Sequence, residues 1–284
     1  MSSQPERSSR RGSFETRPSS RVYLVGAGPG DPELLTMKAY RLIRNADVVF
    51  HDDLVSAEII ELAAPHAQVV NVGKRCGQKK ITQTEINTRM IVAARRGLEV
   101  VRLKSGDPGV FGRLAEEIDA LESAGIAYEI VPGVTAGIAA AASVGSSLTD
   151  RRTGSRIIVI TGHHTHDPGD TGSTPNTAND WRGLAGEDAT FIIYMPGRDL
   201  RPLQRDLLDA GFLPDFPVLI VSRASTPAQR EWATTLADLH YAPAIEAPSI
   251  LLLGRALAGA NHRVTARILT AVQDGACSSL PGLA

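Results

Sequence analysis

Short apolar runs alternate with amphipathic stretches along the first half of the chain. Residues 22–25 form an apolar run ending in glycines. Residues 32–45 follow with Leu35, Ala39, Leu42 and Ala46 at helical spacing, which predicts one helix with those four on its buried side. Residues 47–51 and 68–72 read as the second and third strands. Thr82 then opens a helix with Glu85 three residues on, the spacing of a capping box that satisfies two otherwise orphan amides. Ile86, Met90 and Ala93 supply its core face, and Gly97 ends it. Residues 100–103 predict a fourth strand. Residues 113–123 predict a helix facing inward through Leu114, Ile118 and Leu121 and stopped by Gly125, and 127–131 a fifth strand.

Strands alternating with helices predict a mostly parallel α/β sheet, which carries its ligand beyond the carboxyl ends of its strands. Each unusual loop in this half follows a strand: Gly26-Ala-Gly-Pro-Gly-Asp31, His51-Asp-Asp53, Gly73-Lys-Arg75, Lys104-Ser-Gly-Asp-Pro108 and Pro132-Gly-Val-Thr135. They are expected to gather on one edge. A second α/β unit starts near Ser155, with strands over 156–161 and near 190–195, 217–222 and 249–254, helical segments between them and a Gly/Thr/Pro/Asp-rich surface loop over 167–180. No internal repeat is visible. The organisation expected is a disordered tail over 1–20, domains over 21–152 and 153–273, and a loose tail over 274–284.

The 284 residues are 43% hydrophobic, enough for well-filled cores, and the net charge of -1 provides no global field toward nucleic acid or an anionic membrane. No apolar run approaches the roughly 20 residues that span a bilayer. The Ser/Arg-rich opening lacks an apolar core and so is no secretory signal; it reads as a solvated tail rather than an RNA-binding arm. Cys76 and Cys277 form no disulfide framework or paired metal motif, which suits a reducing cytoplasm, and Cys76 reads as inert. Against this balance, 74–113 holds ten Lys or Arg and three acids, and Arg151 and Arg152 add to the excess. Arg89, Arg95 and Arg96 belong to the solvated face of a helix. His163, His164 and His166 are close neighbours in one loop, and such histidines rarely converge on one ion, so no metal is expected.

A strand running into Gly26-x-Gly28, with Asp52 about 20 residues on, invites a dinucleotide reading. Gly30 comes one residue too early for that fingerprint, however, and Pro29 removes an amide where a pyrophosphate needs one. The turn suits close backbone approach to some other ligand.

The stretch Val22-Tyr-Leu-Val-Gly-Ala-Gly-Pro-Gly-Asp-Pro-Glu-Leu-Leu-Thr36 resembles the opening motif of the tetrapyrrole methylases. Asp52-Asp-Leu-Val-Ser56, Val72-Gly-Lys-Arg75, Gln83-x-Glu-Ile-Asn87, Arg102-Leu-Lys-x-Gly-Asp-Pro108 and Val131-Pro-Gly-Val-Thr-Ala136 follow in family order. The resemblance covers about residues 21–255 and is more specific in the first half. It is closer to the uroporphyrinogen-III C-methyltransferase branch than to the later corrin-ring methylases.

The resemblance implies two α/β domains with the active site in the cleft between them, usually in a homodimer. It also implies S-adenosylmethionine as methyl donor, S-adenosylhomocysteine as product and no metal. The implied reaction methylates carbons 2 and 7 of uroporphyrinogen III to precorrin-2, which leads to sirohaem and cobalamin. Matched motif by motif, the cofactor residues are Pro29, Ser105, Gly106, Asp107, Val110, Thr135 and Ala136, joined by Met195 and Ala224 from the second half. Asp52 and Lys74 fall on the acid–base positions. The substrate's eight carboxylates give the local basic excess a purpose, with Arg75, Lys104 and Arg113 as partners beside the site loops. Asp107 has two readings, favouring the cofactor's positive charge or holding its loop; Asp52 has a rival one, capping a helix.

The chain departs from the family pattern at several points. His51 and Asp53 flank Asp52, where Tyr and Arg are common. Ser105 replaces a frequent glycine, and Gly109 an aromatic, which is expected to loosen that loop. Asp150-Arg-Arg-Thr153 and Ser222-Arg-Ala-Ser225 also differ. The chain lacks the dehydrogenase and chelatase module of some relatives, so precorrin-2 is expected to be handed on. A later-precorrin, RNA-ribose or diphthamide methylase, a nicotinamide oxidoreductase and a non-catalytic tetrapyrrole binder are the rival readings.

Overall fold

A computed structural model of the chain describes residues 21–73, 81–162, 181–186 and 188–273. The first sheet contains β1 (Arg21–Gly26), β2 (Val48–His51), β3 (Gln68–Asn71), β4 (Val100–Lys104) and β5 (Ala127–Val131), in the order β3-β2-β4-β1-β5. All its pairings are parallel. Crossovers through α1 (Met37–Asn45), α2 (Ala57–Ile60), α3 (Gln83–Arg95) and α4 (Leu114–Ser123) return the chain to the same edge each time.

Both faces of this sheet are covered, as its continuous apolar runs require. Val22, Leu24, Phe50 and Val100 pack against Ile86, Met90 and Leu121 on one face. Val25, Val49, Val101 and Leu103 pack against Ala39, Ile43 and Ile59 on the other. Burying one such side chain contributes about 1.5–3 kcal/mol.

The capping box of α3 is present in both directions, Thr82 to the Glu85 amide and Glu85 to the Thr82 amide. The single helix expected over 32–45 is instead two pieces. Asp31 caps a short 3-10 turn, Pro32–Leu34, by accepting from Glu33 N, and Leu35 is extended. Thr36 then caps α1 by accepting from Ala39 N. Two strong caps five residues apart break the helix, so its buried side is Ala39 and Ile43 with Ala46, while Leu35 and Leu42 are half-buried. Likewise α4 begins at Leu114, because Arg113 is left-handed at φ 55°.

The second sheet contains β6 (Arg156–Thr161), β7 (Ala189–Tyr194), β8 (Pro217–Ser222), β9 (Arg230–Thr235) and β10 (Ser249–Leu253), in the order β6-β7-β10-β8-β9. Only β6 and β7 pair in parallel; β10 runs antiparallel to β7 and β8, and β9 to β8. The strand β9 was not expected from the sequence, since Arg-Glu-Trp-Ala-Thr-Thr is a half-buried edge without an apolar run. Three further helices are α5 (Ala136–Ser143), α6 (Arg201–Asp209) and α7 (Ala258–Gln273). Although α5 directly follows β5, its Ala140 and Ala141, with Val144 just after it, join Ile192, Leu219, Val221 and Leu252 in the core of the second sheet. That helix ties the strand-end edge of the first sheet to the second. No helix among the described residues is long and apolar enough to cross a membrane.

Candidate functional site

Parallel pairing places the loops after β1, β2, β4 and β5 on one edge. Three of them stack backbone against backbone. Ala27 N donates to Lys104 O at 2.8 Å, and Gly28 and Gly106 exchange amide hydrogen bonds at 3.1 and 2.7 Å. A Cβ on Gly26 would lie 2.6 Å from Gly133 N and 2.7 Å from Gly106 O, so glycine is the residue this contact admits. Asp107 fastens the stack: its Oδ2 accepts from Gly133 N at 3.0 Å and its Oδ1 from Gly109 N at 2.8 Å. Of the two readings of Asp107, holding the loop is the one its contacts carry. The left-handed position is Gly106 (φ 69°), so Ser105 carries no backbone strain. The same contacts engage the Ala27 and Gly28 amides of the first turn, and the Asp31 carboxylate occupies the short helix start, where a pyrophosphate would be repelled.

Within β4, Arg102 and Lys104 alternate with Val101 and Leu103 and so face α3 and α4. Glu117, fully buried on α4, meets them there. Arg102 Nε donates to its Oε1 at 2.9 Å, Lys104 Nζ to both its oxygens at 3.0 Å, and Gln83 Nε2 to Oε1 at 3.3 Å. From the other end of its guanidinium, Arg102 Nη2 donates to Asp52 Oδ1 at 2.5 Å, and Nη1 donates to Leu103 O at 3.2 Å. The Asp52 side chain is 31% exposed, so this buried cluster opens to solvent through it.

Burial alone would lower the Arg102 pKa, but the charges of Asp52 and Glu117 outweigh it and raise it above the ordinary arginine value. Lys104 behaves oppositely: burial and the adjacent Arg102 charge push it below the lysine range, with Glu117 opposing. Lys104 was expected to meet substrate carboxylates. It is instead 3% exposed and bound to Glu117, because a strand buried on both faces turns alternate residues toward a helix layer, not outward.

The Asp52 carboxylate caps no helix; Ser56 precedes α2. The neighbouring Asp53 turns to β3, where its Oδ1 accepts from Asn71 Nδ2 at 2.8 Å. Arg113 is half-buried and holds Glu116 through Nε and Nη2 at 2.6 and 2.7 Å. Arg152 grips Asp150 through its backbone amide and its fork, holding that carboxyl at about 2. Lys74, Arg75, Cys76, Cys277 and the three loop histidines lie outside the described residues.

The second sheet closes the site from across the seam. Among the described residues, the non-glycine positive φ values are at Phe111, Arg113, Met195, Arg223 and Ser225, from 49° to 61°. The first two follow β4, Met195 follows β7, and Arg223 and Ser225 follow β8, bracketing buried Ala224. Such backbone costs of order 1–3 kcal/mol each and persists where the surroundings over-determine it, typically at binding sites. Tyr194 joins the two sides. Its hydroxyl bonds Thr135 Oγ1 at 2.6 Å and accepts from Gly137 N at 2.8 Å, and its ring lies 5.1 Å from that of Phe111. Replacing Tyr194 with Phe leaves that amide without its acceptor, and is expected to cost about 1–3 kcal/mol in urea unfolding.

Pro29, Ser105, Val110, Thr135 and Ala136 are half-buried around this seam, and Phe111 and Met195 expose 44% and 45% of their surface. Exposed apolar groups, backbone polar atoms and a threonine hydroxyl make a donor set suited to an adenosyl group. A cavity of about 720 Å³ lies farther along, between Gly30–Pro32, Ser56, Glu58 and 225–228. Its lining includes Asp31 and Glu58 but no cation, so charge does not favour it as the seat of a polyanion.

Glu117, Tyr194 and Phe111 escaped the sequence reading. Glu117 had a signal: it stands three residues after Leu114 inside the apolar stripe of α4, opposite two cations on an apolar strand.

The family model described as Tetrapyrrole (Corrin/Porphyrin) Methylases matches residues 21–240. A siroheme synthase from Psychrobacter sp. is 45% identical over 82% of this chain and 47% of its own length. A uroporphyrinogen-III C-methyltransferase from Paracoccus denitrificans is 41% identical over 85% of this chain and 83% of its own length. The crystal structure of uroporphyrin-III C-methyl transferase from Thermus thermophilus, complexed with S-adenyl homocysteine, superposes with a TM-score of 0.70. That match has 38% identity and covers 84% of this chain and all of the other. The chain spans about half the length of the siroheme synthases it matches.

Proposed function

This chain belongs to the tetrapyrrole methylase family, and on that premise we propose that it methylates carbons 2 and 7 of uroporphyrinogen III from S-adenosylmethionine, giving precorrin-2. The observation that carries the reading is the meeting of the glycine-stacked loops with Asp52, held by Arg102, on one sheet edge facing Tyr194 and Met195. The Paracoccus and Thermus proteins, similar over most of their lengths, support it.

Pro29, Ser105, Gly106, Val110, Thr135, Ala136, Met195 and Ala224 hold S-adenosylmethionine in this reading, with Asp107 keeping their loops in place. When bound, its sulfonium supplies a methyl group already activated for transfer. The chain's own task is alignment and exclusion of water. Asp52 takes the proton that leaves the alkylated macrocycle, on Oδ2, the oxygen that Arg102 does not hold. Lys74 orients a substrate carboxylate or shuttles protons, and Arg75 and Arg113 pair with others. Lys104 contributes through the buried cluster. We take 21–152 and 153–273 as the two domains and a homodimer in the cytoplasm as the working form.

Incubation with S-adenosylmethionine and enzymatically made uroporphyrinogen III should yield the dimethylated product, read by absorbance after oxidation. No product from protein that binds S-adenosylhomocysteine would favour a tetrapyrrole-binding role instead. Asp52→Asn is expected to lower kcat about 100-fold with S-adenosylhomocysteine affinity unchanged by calorimetry. Equal turnover would remove Asp52 from the mechanism.

A further inference from the structure

We infer that Glu117, which has no direct route to the substrate, is a positioning residue that sets the Asp52 carboxylate through Arg102. The inference rests on the reading of Asp52 as the proton acceptor. The three nitrogens of the Arg102 guanidinium are all engaged, Nε by Glu117, Nη1 by Leu103 O and Nη2 by Asp52. A planar group held at both ends transmits orientation from one carboxylate to the other. Glu117 is itself fixed by Lys104 on both oxygens and by Gln83, and it is fully buried. Asp52 N also donates to Leu103 O at 3.3 Å, so backbone and side chain of Asp52 are both referenced to β4. The two anions and two cations sum to zero charge, and Asp52 is the member that reaches solvent.

Simple charge balance is the competing role, in which Glu117 only neutralises Lys104 in the interior. The two roles separate when both are removed together. In K104M/E117Q the cluster stays neutral, as Arg102 faces Asp52 alone, but the guanidinium has lost its buried carboxylate. Positioning predicts that this variant unfolds near the wild-type urea concentration and has kcat lowered about 10- to 100-fold relative to K104M. KM for S-adenosylmethionine should not change, since a displaced group of this kind acts on the chemical step. In a D52N background the same change should lower kcat little further.

Recovery of both stability and kcat in K104M/E117Q would reduce Glu117 to charge balance and overturn the inference. So would an equal fold-loss with and without D52N. Full turnover of D52N itself would instead remove the proton-acceptor reading on which the inference stands. Should K104M/E117Q fail to fold, E117D keeps the charge but retracts the carboxylate, and reads the same split between kcat and KM.

Discussion

Replacing Gly133 with Ala is expected to abolish measurable S-adenosylhomocysteine binding. A Cβ there would overlap Gly106 O and approach Gly26 Cα to 2.9 Å. These atoms are backbone, and no rotamer change can clear them. The loops after β1, β4 and β5 would separate by roughly an ångström, and the amide hydrogen bond from Gly133 to Asp107 would lengthen with them. Misplacement on that scale costs about 100-fold or more at a site that depends on alignment. Overpacking adds about 1–3 kcal/mol of lost stability. Calorimetric titration with S-adenosylhomocysteine and urea unfolding measure the two losses. Wild-type affinity in Gly133→Ala would mean that the stacked loops are not the cofactor wall.

Replacing Glu117 with Ala should produce the largest loss of stability, about 3–5 kcal/mol by urea unfolding, because it leaves Arg102 and Lys104 buried with one counter-charge between them. The loss should depend on pH. Lys104 already sits below its ordinary value of 10.5 through burial and the Arg102 charge, and Glu117 opposes that shift by charge and hydrogen bond, with Asp52 adding a smaller charge contribution. Without Glu117 the unfolded chain binds a proton that the folded chain releases more readily. Stability of the variant therefore rises with pH between the depressed folded value and 10.5. The deficit against wild type should be smaller at about pH 9 than near neutral pH. A deficit independent of pH would place the loss in packing rather than in the stranded charge.

Much of the first half was legible because its signals are local. The apolar runs of β1, β4 and β5, the Thr82–Glu85 box and the glycines after strands each state their own structure. Parallel pairing then forces the loops onto one edge, so the grouping of Gly26, Gly106 and Gly133 followed from topology. The second half was harder to read. Antiparallel β9 has no apolar run, and the left-handed backbone at Met195, Arg223 and Ser225 is imposed by tertiary packing that no local pattern announces. Lys104 was misplaced for a related reason. It does lie beside the site loops, but its direction depends on which face of β4 meets α4, where Glu117, thirteen residues away, receives it. Helix 32–45 was misjudged at Thr36, where capping competes with periodicity and wins.

The most direct test of the account is to label the methyl of S-adenosylmethionine with carbon-13, supply uroporphyrinogen III and locate the label in the product by NMR. Two labelled methyl groups are expected, on carbons 2 and 7. Label on any other ring position, or none transferred by protein that binds S-adenosylhomocysteine, would contradict it.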